Sequence, residues 1–148
     1  MKTQRSSLKG FTLIEILVVV ALIAVLAAVT IVAINPAKNF ADTRDTTRSS
    51  DVRQILNAIT QYVYEEGHAI GDFGTITACA TGADAIGTGV GNVNLGSILI
   101  DEYIVAIPVD PDGGTEVDTG YTICLTPGGR VEIAAPNTEN GSVISVKR

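Results

Sequence analysis

The sequence has few of the residue types that usually carry catalysis or hold metals. Its 148 residues include one histidine, two cysteines and no tryptophan. Any histidine-dependent nucleophile would need His68, which directly follows Gly67, where a helix is expected to end. Two cysteines and one distant histidine do not supply the four ligands of a structural zinc site. We therefore expect no enzymatic activity, and we predict that His68 is an exposed residue at a helix end.

Charge is almost absent from one long part of the chain. Residues 11–34 contain a single charged side chain, Glu15, and only two other polar side chains, Thr12 and Thr30. A helix of this length would extend about 36 Å at 1.5 Å per residue. That is enough to cross a hydrocarbon core of about 30 Å with some tilt. The segment is therefore predicted to span a membrane.

The residues before this segment are basic. Lys2, Arg5 and Lys9 precede it without any acidic residue. By the positive-inside rule, the N-terminus stays in the cytoplasm and the chain after the apolar segment is delivered outside. A secretory signal would have an apolar region of about 7 to 15 residues followed by a small-residue cleavage site. Here the apolar region is longer, and a cut at Gly10 would leave it on the mature chain.

The junction itself resembles a known processing signal. Gly10-Phe11-Thr12-Leu13-Ile14-Glu15, followed by an uninterrupted apolar helix, is similar to the prepilin-type leader of type IV pilins and type II secretion pseudopilins. The resemblance implies cleavage between Gly10 and Phe11 by a membrane prepilin peptidase, and N-methylation of the new Phe11 terminus. It also implies that the subunit leaves the bilayer at an inner-membrane assembly platform and joins a homo-oligomeric helical filament.

Glu15 is predicted to be functional for a separate physical reason. A carboxylate in the apolar part of a membrane helix costs on the order of 2.5 to 3.5 kcal/mol on insertion scales, so it needs a partner. The resemblance implies that Glu15 pairs with the positive Phe11 amine of a neighbouring subunit and sets the axial register of the filament. The simpler alternative is an acid near the end of the apolar run whose side chain reaches toward the headgroups.

The resemblance also implies an α+β fold and three parts. They are a prepilin leader peptide (1–10), a transmembrane and assembly helix (11–34) and a pilin-like globular head (35–148). A long N-terminal spine helix, whose first half spans the membrane, would pack on a small C-terminal antiparallel sheet. The proline often found inside the apolar helix of relatives is absent here, and Pro36 is expected to interrupt the helix after it.

Periodicity predicts the elements of the head. The second half of the spine helix shows apolar residues at three- and four-residue spacing and a stop signal at Gly67: Val52, Ile55, Leu56, Ile59 and Val63. Residues 121–125, 130–134 and 143–146 are predicted to be antiparallel strands, and residues 98–107 a strand or short helix. Residues 69–96 are rich in Gly, Thr and Ala, which predicts an irregular connector with little core and a flexible surface loop at Gly87, Gly89 and Gly91.

Cys79 and Cys124 are predicted to form a disulfide. They lie in the part of the chain predicted to be outside the cytoplasm, where disulfides persist. Closing a loop of this length would stabilise the head by about 4 kcal/mol in the chain-entropy model. Two free buried thiols are the alternative.

One acidic stretch has spacing that suits a metal ion. Asp110, Asp112 and Asp118 lie on a glycine-containing loop, and calcium accepts six to eight oxygen ligands in irregular geometry. The stretch does not match an EF-hand, because Tyr121 stands where that loop requires a bidentate glutamate. Calcium is the one cofactor considered, and the alternative is a solvated acidic turn.

The net charge bears on the partners of the mature chain. Loss of the three leader charges leaves seven basic and sixteen acidic residues, a side-chain charge of −9. This argues against a general attraction to nucleic acid or anionic lipid. Arg44 and Arg48 could contact DNA phosphates, but Asp45 and Asp51 each lie three residues from Arg48 and favour ion pairs instead. Nucleic acid is therefore not an expected partner.

These observations predict a structural subunit of a type IV pilus or related filament. The precursor would be a single-pass protein of the cytoplasmic membrane with its N-terminus in the cytoplasm, and the mature form would lie in an extracellular or cell-surface filament. Two alternatives remain. One is a major-type pseudopilin of a type II secretion system, and the other is a membrane-anchored ligand-binding module that never polymerises.

Overall fold

The computed structural model describes residues 10–148, and the predicted leader charges at Lys2, Arg5 and Lys9 lie outside the described residues. The chain divides into two units, Met1–Asn39 and Phe40–Arg148. The long apolar helix lies in the first unit, and a small antiparallel sheet with a helix packed on it lies in the second. The predicted α+β class is confirmed.

The apolar helix, α1, spans Leu13–Ile34. It ends at Asn35, whose backbone is left-handed with φ 46° and ψ 72°, and the second helix, α2, spans Pro36–Tyr64. The Asn35 side-chain oxygen accepts a 3.4 Å hydrogen bond from the Lys38 amide at the start of α2. The predicted interruption at Pro36 is confirmed, because proline has no amide hydrogen and disfavours helical geometry in the residue before it.

The apolar stripe of α2 packs on the sheet largely as predicted. Val52, Ile55, Leu56 and Ile59 are buried in the core. Val63 is instead 38% exposed, and Tyr62 is buried. Tyr62 lies seven residues after Ile55 and three after Ile59, so it continues the same helical face.

Four strands form the sheet in the order β1-β2-β3-β4, with every neighbouring pair antiparallel. They are β1 (Asp84–Ala85), β2 (Thr122–Leu125), β3 (Val131–Ala135) and β4 (Ile144–Lys147). Ile123 pairs with Ile133, and Ile133 pairs with Val146, which places apolar side chains on the face that α2 covers. The three predicted strands are confirmed. The additional strand β1 has two residues, too few to produce an alternating pattern in the sequence.

Residues 69–96 are a mostly irregular connector, as predicted, but the prediction that they contribute little to the core was wrong. This part contains a 3₁₀ turn (Ile70–Phe73) and β1, and it contributes five buried side chains to the core: Phe73, Ile76, Ile86, Val93 and Leu95. Their spacing follows loop hydrogen bonds, such as Ile86 N to Tyr121 O at 2.9 Å, and not a helix or strand period. A Cβ on Gly87 would lie 2.3 Å from the Val117 carbonyl oxygen, so this glycine permits close backbone packing.

Two further predictions concern the parts that flank the sheet. The prediction of a strand or short helix at 98–107 was wrong for most of the segment: a single helical turn, α3 (Gly96–Leu99), ends at its second residue, and turns and loop follow. The Cys79–Cys124 disulfide is present and ties the connector to β2. The Cys79 amide also donates a 2.8 Å hydrogen bond to the Leu125 carbonyl, so the covalent link reinforces a backbone pairing.

Candidate assembly site

The start of α1 is organised by two side chains, Thr12 and Glu15. Thr12 has extended backbone geometry, and its hydroxyl oxygen accepts a 3.3 Å hydrogen bond from the Glu15 amide. The Glu15 carboxylate in return accepts 2.8 Å hydrogen bonds from the Thr12 amide and the Thr12 hydroxyl. This reciprocal arrangement is a capping box, which satisfies donors that a helix start leaves without partners.

The cap fixes the residue at which the helix begins and therefore which residues precede the helix. Gly10 and Phe11 lie outside the helix, and the Phe11 side chain is 86% exposed. The bond between Gly10 and Phe11, at which the resemblance predicts cleavage, therefore lies immediately before the capped start of α1.

The rest of α1 is apolar on every side and has no buried residue. Its 22 residues correspond to a length of about 33 Å. In the part of the chain that the structure describes, α1 is the one helix long and apolar enough to cross a membrane. The Thr30 hydroxyl donates to the Ala27 carbonyl at 2.9 Å, so this polar group is satisfied within the helix. Such a surface must be covered by lipid or by other apolar helices.

The comparison with known families agrees with this geometry. The family described as the prokaryotic N-terminal methylation motif matches residues 5–31. The chain therefore carries the prepilin-type signal of type IV pilins and pseudopilins. This signal supports a pilin-like or pseudopilin protein that is processed by prepilin peptidase, and the apolar helix fits membrane anchoring. No curated protein and no solved structure gives a significant match to the chain.

A set of charged side chains lies inside the head, around Arg48. Its guanidinium donates from Nε and Nη2 to the two carboxylate oxygens of Asp110, each at 2.8 Å. Nη1 donates to Asp45 at 2.9 Å. The side chains of Arg48 and Asp110 are fully buried, so this is a two-pronged ion pair shielded from water.

Sequence reasoning found part of this cluster. The predicted pairing of Arg48 with Asp45 is confirmed, whereas Asp51 accepts a hydrogen bond from the Tyr121 hydroxyl at 2.7 Å instead. The main partner, Asp110, was missed because it lies 62 positions away. One signal was available: Arg48 is four residues before Val52, on the buried stripe, and a charge on such a stripe needs a partner.

The pKa values of the two carboxyl groups reflect this pairing. Burial alone would raise the pKa of Asp110, but hydrogen bonds from Arg48 and the Asp112 amide, together with the Arg48 charge, lower it below its usual value. The pKa of Asp45 is likewise lowered against burial, by the Glu139 amide, Arg48 and the Ser142 hydroxyl. Both groups are therefore ionised in the folded head at neutral pH.

Arg44 and His68 also have partners within the head. Arg44 donates to the Glu139 carboxylate with a shortest distance of 2.7 Å, and that hydrogen bond raises the pKa of Arg44. Neither Arg44 nor the buried Arg48 presents a free charge for phosphates. The predicted exposure of His68 was wrong, since its partly buried ring stacks on Tyr62 with centroids 4.2 Å apart.

The structure does not bring the three predicted calcium ligands together. Both oxygens of Asp110 are bonded to Arg48, and the Asp118 carboxylate accepts from the Gly120 amide. In the described residues, one group of three potential metal-binding side chains converges, Cys79, Cys124 and Glu132, and its two sulfurs form the disulfide. The loop at 110–118 is built as a turn around Asp110, with Gly114 N donating to Asp110 O at 3.1 Å.

Calcium is expected to leave the stability of the head unchanged. The reason is that Asp110 cannot accept calcium without breaking the buried pair with Arg48. The check is the midpoint of thermal unfolding of the full chain in detergent with millimolar calcium and with EDTA. Magnesium at the same concentration is the control for ionic strength. A higher midpoint with calcium alone would restore the original calcium prediction, since a ligand that binds the folded state stabilises it.

Proposed function

We propose that this chain is the structural subunit of a type IV pilus or related filament and that it polymerises through α1. One observation carries the proposal: a helix with no buried residue and one charged side chain directly follows a prepilin-type processing signal. In the membrane, lipid covers this helix. After processing, copies of the same helix from other subunits would cover it in the filament core.

The proposal includes a location and partners. The precursor would be a single-pass protein with its N-terminus in the cytoplasm, cut by prepilin peptidase and loaded through an inner-membrane platform. The mature chain would lie in a homo-oligomeric filament at the cell surface. We propose no catalytic role and no cofactor. In the described residues, the buried charged side chains Arg48, Asp45 and Asp110 bind one another in the head.

A major-type pseudopilin of a type II secretion system is the second candidate, because the processing signal is common to both classes. The two candidates share every step up to polymerisation. They differ in filament length, so electron microscopy of cells at native expression separates long surface pili from short periplasmic filaments.

Substituting Gly10 with valine is the direct test of processing. The branched side chain should block cleavage before Phe11, so the membrane-extracted protein should keep its leader and migrate more slowly. The substitution does not strain the fold, because a Cβ at Gly10 meets no atom within 4 Å. Electrophoretic mobility and N-terminal sequencing measure the result.

Gly128→Val is the matched control for this test. Gly128 is exposed, and a Cβ there also meets no atom within 4 Å, so the variant should be processed normally. If wild type and Gly10→Val share one mobility and one N-terminal sequence, the filament proposal is wrong. The membrane-anchored binding module that does not polymerise would then be the better description.

A further inference from the structure

The loop between β3 and β4, residues 136–143, is attached to the N-terminal half of α2 by polar contacts. Arg44 donates to the Glu139 carboxylate with a shortest distance of 2.7 Å. The Asp45 carboxylate accepts hydrogen bonds from the Glu139 amide and the Ser142 hydroxyl, each at 3.0 Å. Asp45 is itself buried, so these contacts tie the loop to the interior of the head.

Asn140 adds an exposed contact to this attachment. Its side-chain Nδ2 donates a 3.0 Å hydrogen bond to the Asp42 carboxylate on α2, and both residues are exposed. The contact requires an amide at position 140, because an ionised carboxylate there would have no proton to donate and would face a like charge. One side-chain group therefore decides whether this contact attracts or repels.

The surroundings of Asn140 favour loss of that amide. Asn140 is the one asparagine in the sequence that precedes a glycine. Glycine has no Cβ, so no side chain shields its backbone nitrogen from the asparagine before it. Asn140 and Gly141 both have left-handed backbone, with φ of 55° and 70°. Among the described residues the Gly141 amide has no hydrogen-bond acceptor, so its nitrogen is not held by another group.

Deamidation of such a pair needs only water, and asparagine is accordingly one of the thermolabile residue types. The Gly141 nitrogen loses its proton to water and attacks Asn140 Cγ, which forms a five-membered succinimide ring. The bond from Cγ to Nδ2 breaks, and Nδ2 takes up a proton and leaves as ammonia. Water then opens the ring at Cγ to give aspartate or at the backbone carbonyl carbon to give isoaspartate. Both products carry a carboxylate.

We propose that Asn140 deamidates spontaneously in the folded head, and that the new carboxylate repels Asp42 and weakens the attachment of the β3–β4 loop to α2. The contacts of Arg44 and Asp45 remain, so the loop loosens while the head stays folded. The repulsion is screened by salt, because both carboxylates are exposed. Since the ammonia is lost, the fraction of converted chains records the time since a subunit folded.

Timed incubation of the full chain in detergent, at mildly alkaline pH, tests the reaction. Trypsin releases residues 131–147, a peptide that contains both Asn140 and Asn137, so mass spectrometry compares the two in one fragment. Asn140 should be lost to aspartate and isoaspartate while Asn137, which precedes a threonine, keeps its amide. If Asn140 in the folded chain keeps its amide for a period in which the free peptide converts completely, the inference is wrong.

Variants test the effect on the loop. Asn140→Asp should lower the thermal midpoint by about 4 °C, and by less at high salt. Combining it with Asp42→Asn exchanges donor and acceptor and should restore the midpoint, whereas Asn137→Asp, the exposed control in the same loop, should leave it unchanged. If Asn140→Asp is as stable as wild type, or if the exchanged pair is as unstable as the single change, the proposed effect is wrong. Neither readout depends on filament assembly.

Discussion

Replacing Glu15 with alanine should abolish filaments while the head stays folded and the leader is still removed. The head contains none of the contacts of Glu15, whose carboxylate binds Thr12 at the start of α1. In a filament core, an unpaired Phe11 amine would remain in an apolar environment. Removing one partner of a buried charge pair costs about 2 to 5 kcal/mol, so filament yield should fall by about thirtyfold or more.

The capping box adds a second explanation for Glu15 that an experiment must separate from charge. Glutamine can replace glutamate in a capping box, because its side-chain oxygen also accepts the hydrogen bond from the cap residue. Glu15→Gln should therefore keep the helix start and lose the charge. We expect it to fail in assembly as Glu15→Ala does. Normal filaments from Glu15→Gln would show that the carboxylate serves as a helix cap and not as an ionic partner.

Thr12→Ala is the matched variant for the cap alone. It removes the hydroxyl that bonds the Glu15 amide and costs the helix start about 1 kcal/mol. The charge of Glu15 remains, so filaments should still form at reduced yield. Sheared filament fractions and immunoblots of processed subunit, compared across the three variants, measure the contribution of cap and charge.

Replacing Arg48 with methionine should strongly destabilise the head. The substitution leaves the Asp110 carboxylate buried without its ionic partner, a change that costs about 3 to 5 kcal/mol in proteins. Urea unfolding of the full chain in detergent, followed by near-ultraviolet circular dichroism of the head tyrosines, measures the loss. Arg130→Met removes an exposed arginine and should stay within about 0.5 kcal/mol of wild type.

A double variant and a pH series show that the loss comes from this pair. Arg48→Met combined with Asp110→Asn should lower the free energy of unfolding by less than the sum of the two single changes, because both remove the same interaction.

The pKa values of Asp45 and Asp110 are lowered on folding. Their contribution to the free energy of unfolding is therefore present above the unfolded pKa of about 4 and is lost as the pH falls below it. Equal acid sensitivity of wild type and Arg48→Met would contradict this assignment.

Several parts of the structure could be predicted from local sequence. The composition of residues 11–34 determines α1, because an apolar run of this length with a single charge has few other stable states. Asn35-Pro36 marks its end through backbone chemistry that needs no tertiary contact. The stripe through Val52 and Ile59 and the alternation in β3 depend on periods of 3.6 and 2, which the sequence displays directly.

Other parts depend on residues that are distant in the chain. Ile86 and Val93 are buried because loop hydrogen bonds fix their position. Their spacing in the sequence follows neither the helix period nor the strand period, so it does not reveal that they are buried. Arg48 could be recognised as a buried charge that needs a partner, but not as the partner of Asp110. Tyr62 and His68 stack because the chain turns back after α2, which places the histidine ring against the helix it follows.

The sequence by itself therefore determined the N-terminal part of this protein: a basic leader, the prepilin-type methylation motif and an apolar helix with one acid. Those features act through composition and local capping, which are properties of consecutive residues. Only the tertiary structure decided which charged side chains of the head form ion pairs and which do not. Arg48 and Asp110 are buried against each other, whereas Arg53 remains exposed on another side of the same helix. The physical reason is that ion pairs between distant residues exist only once the chain has folded.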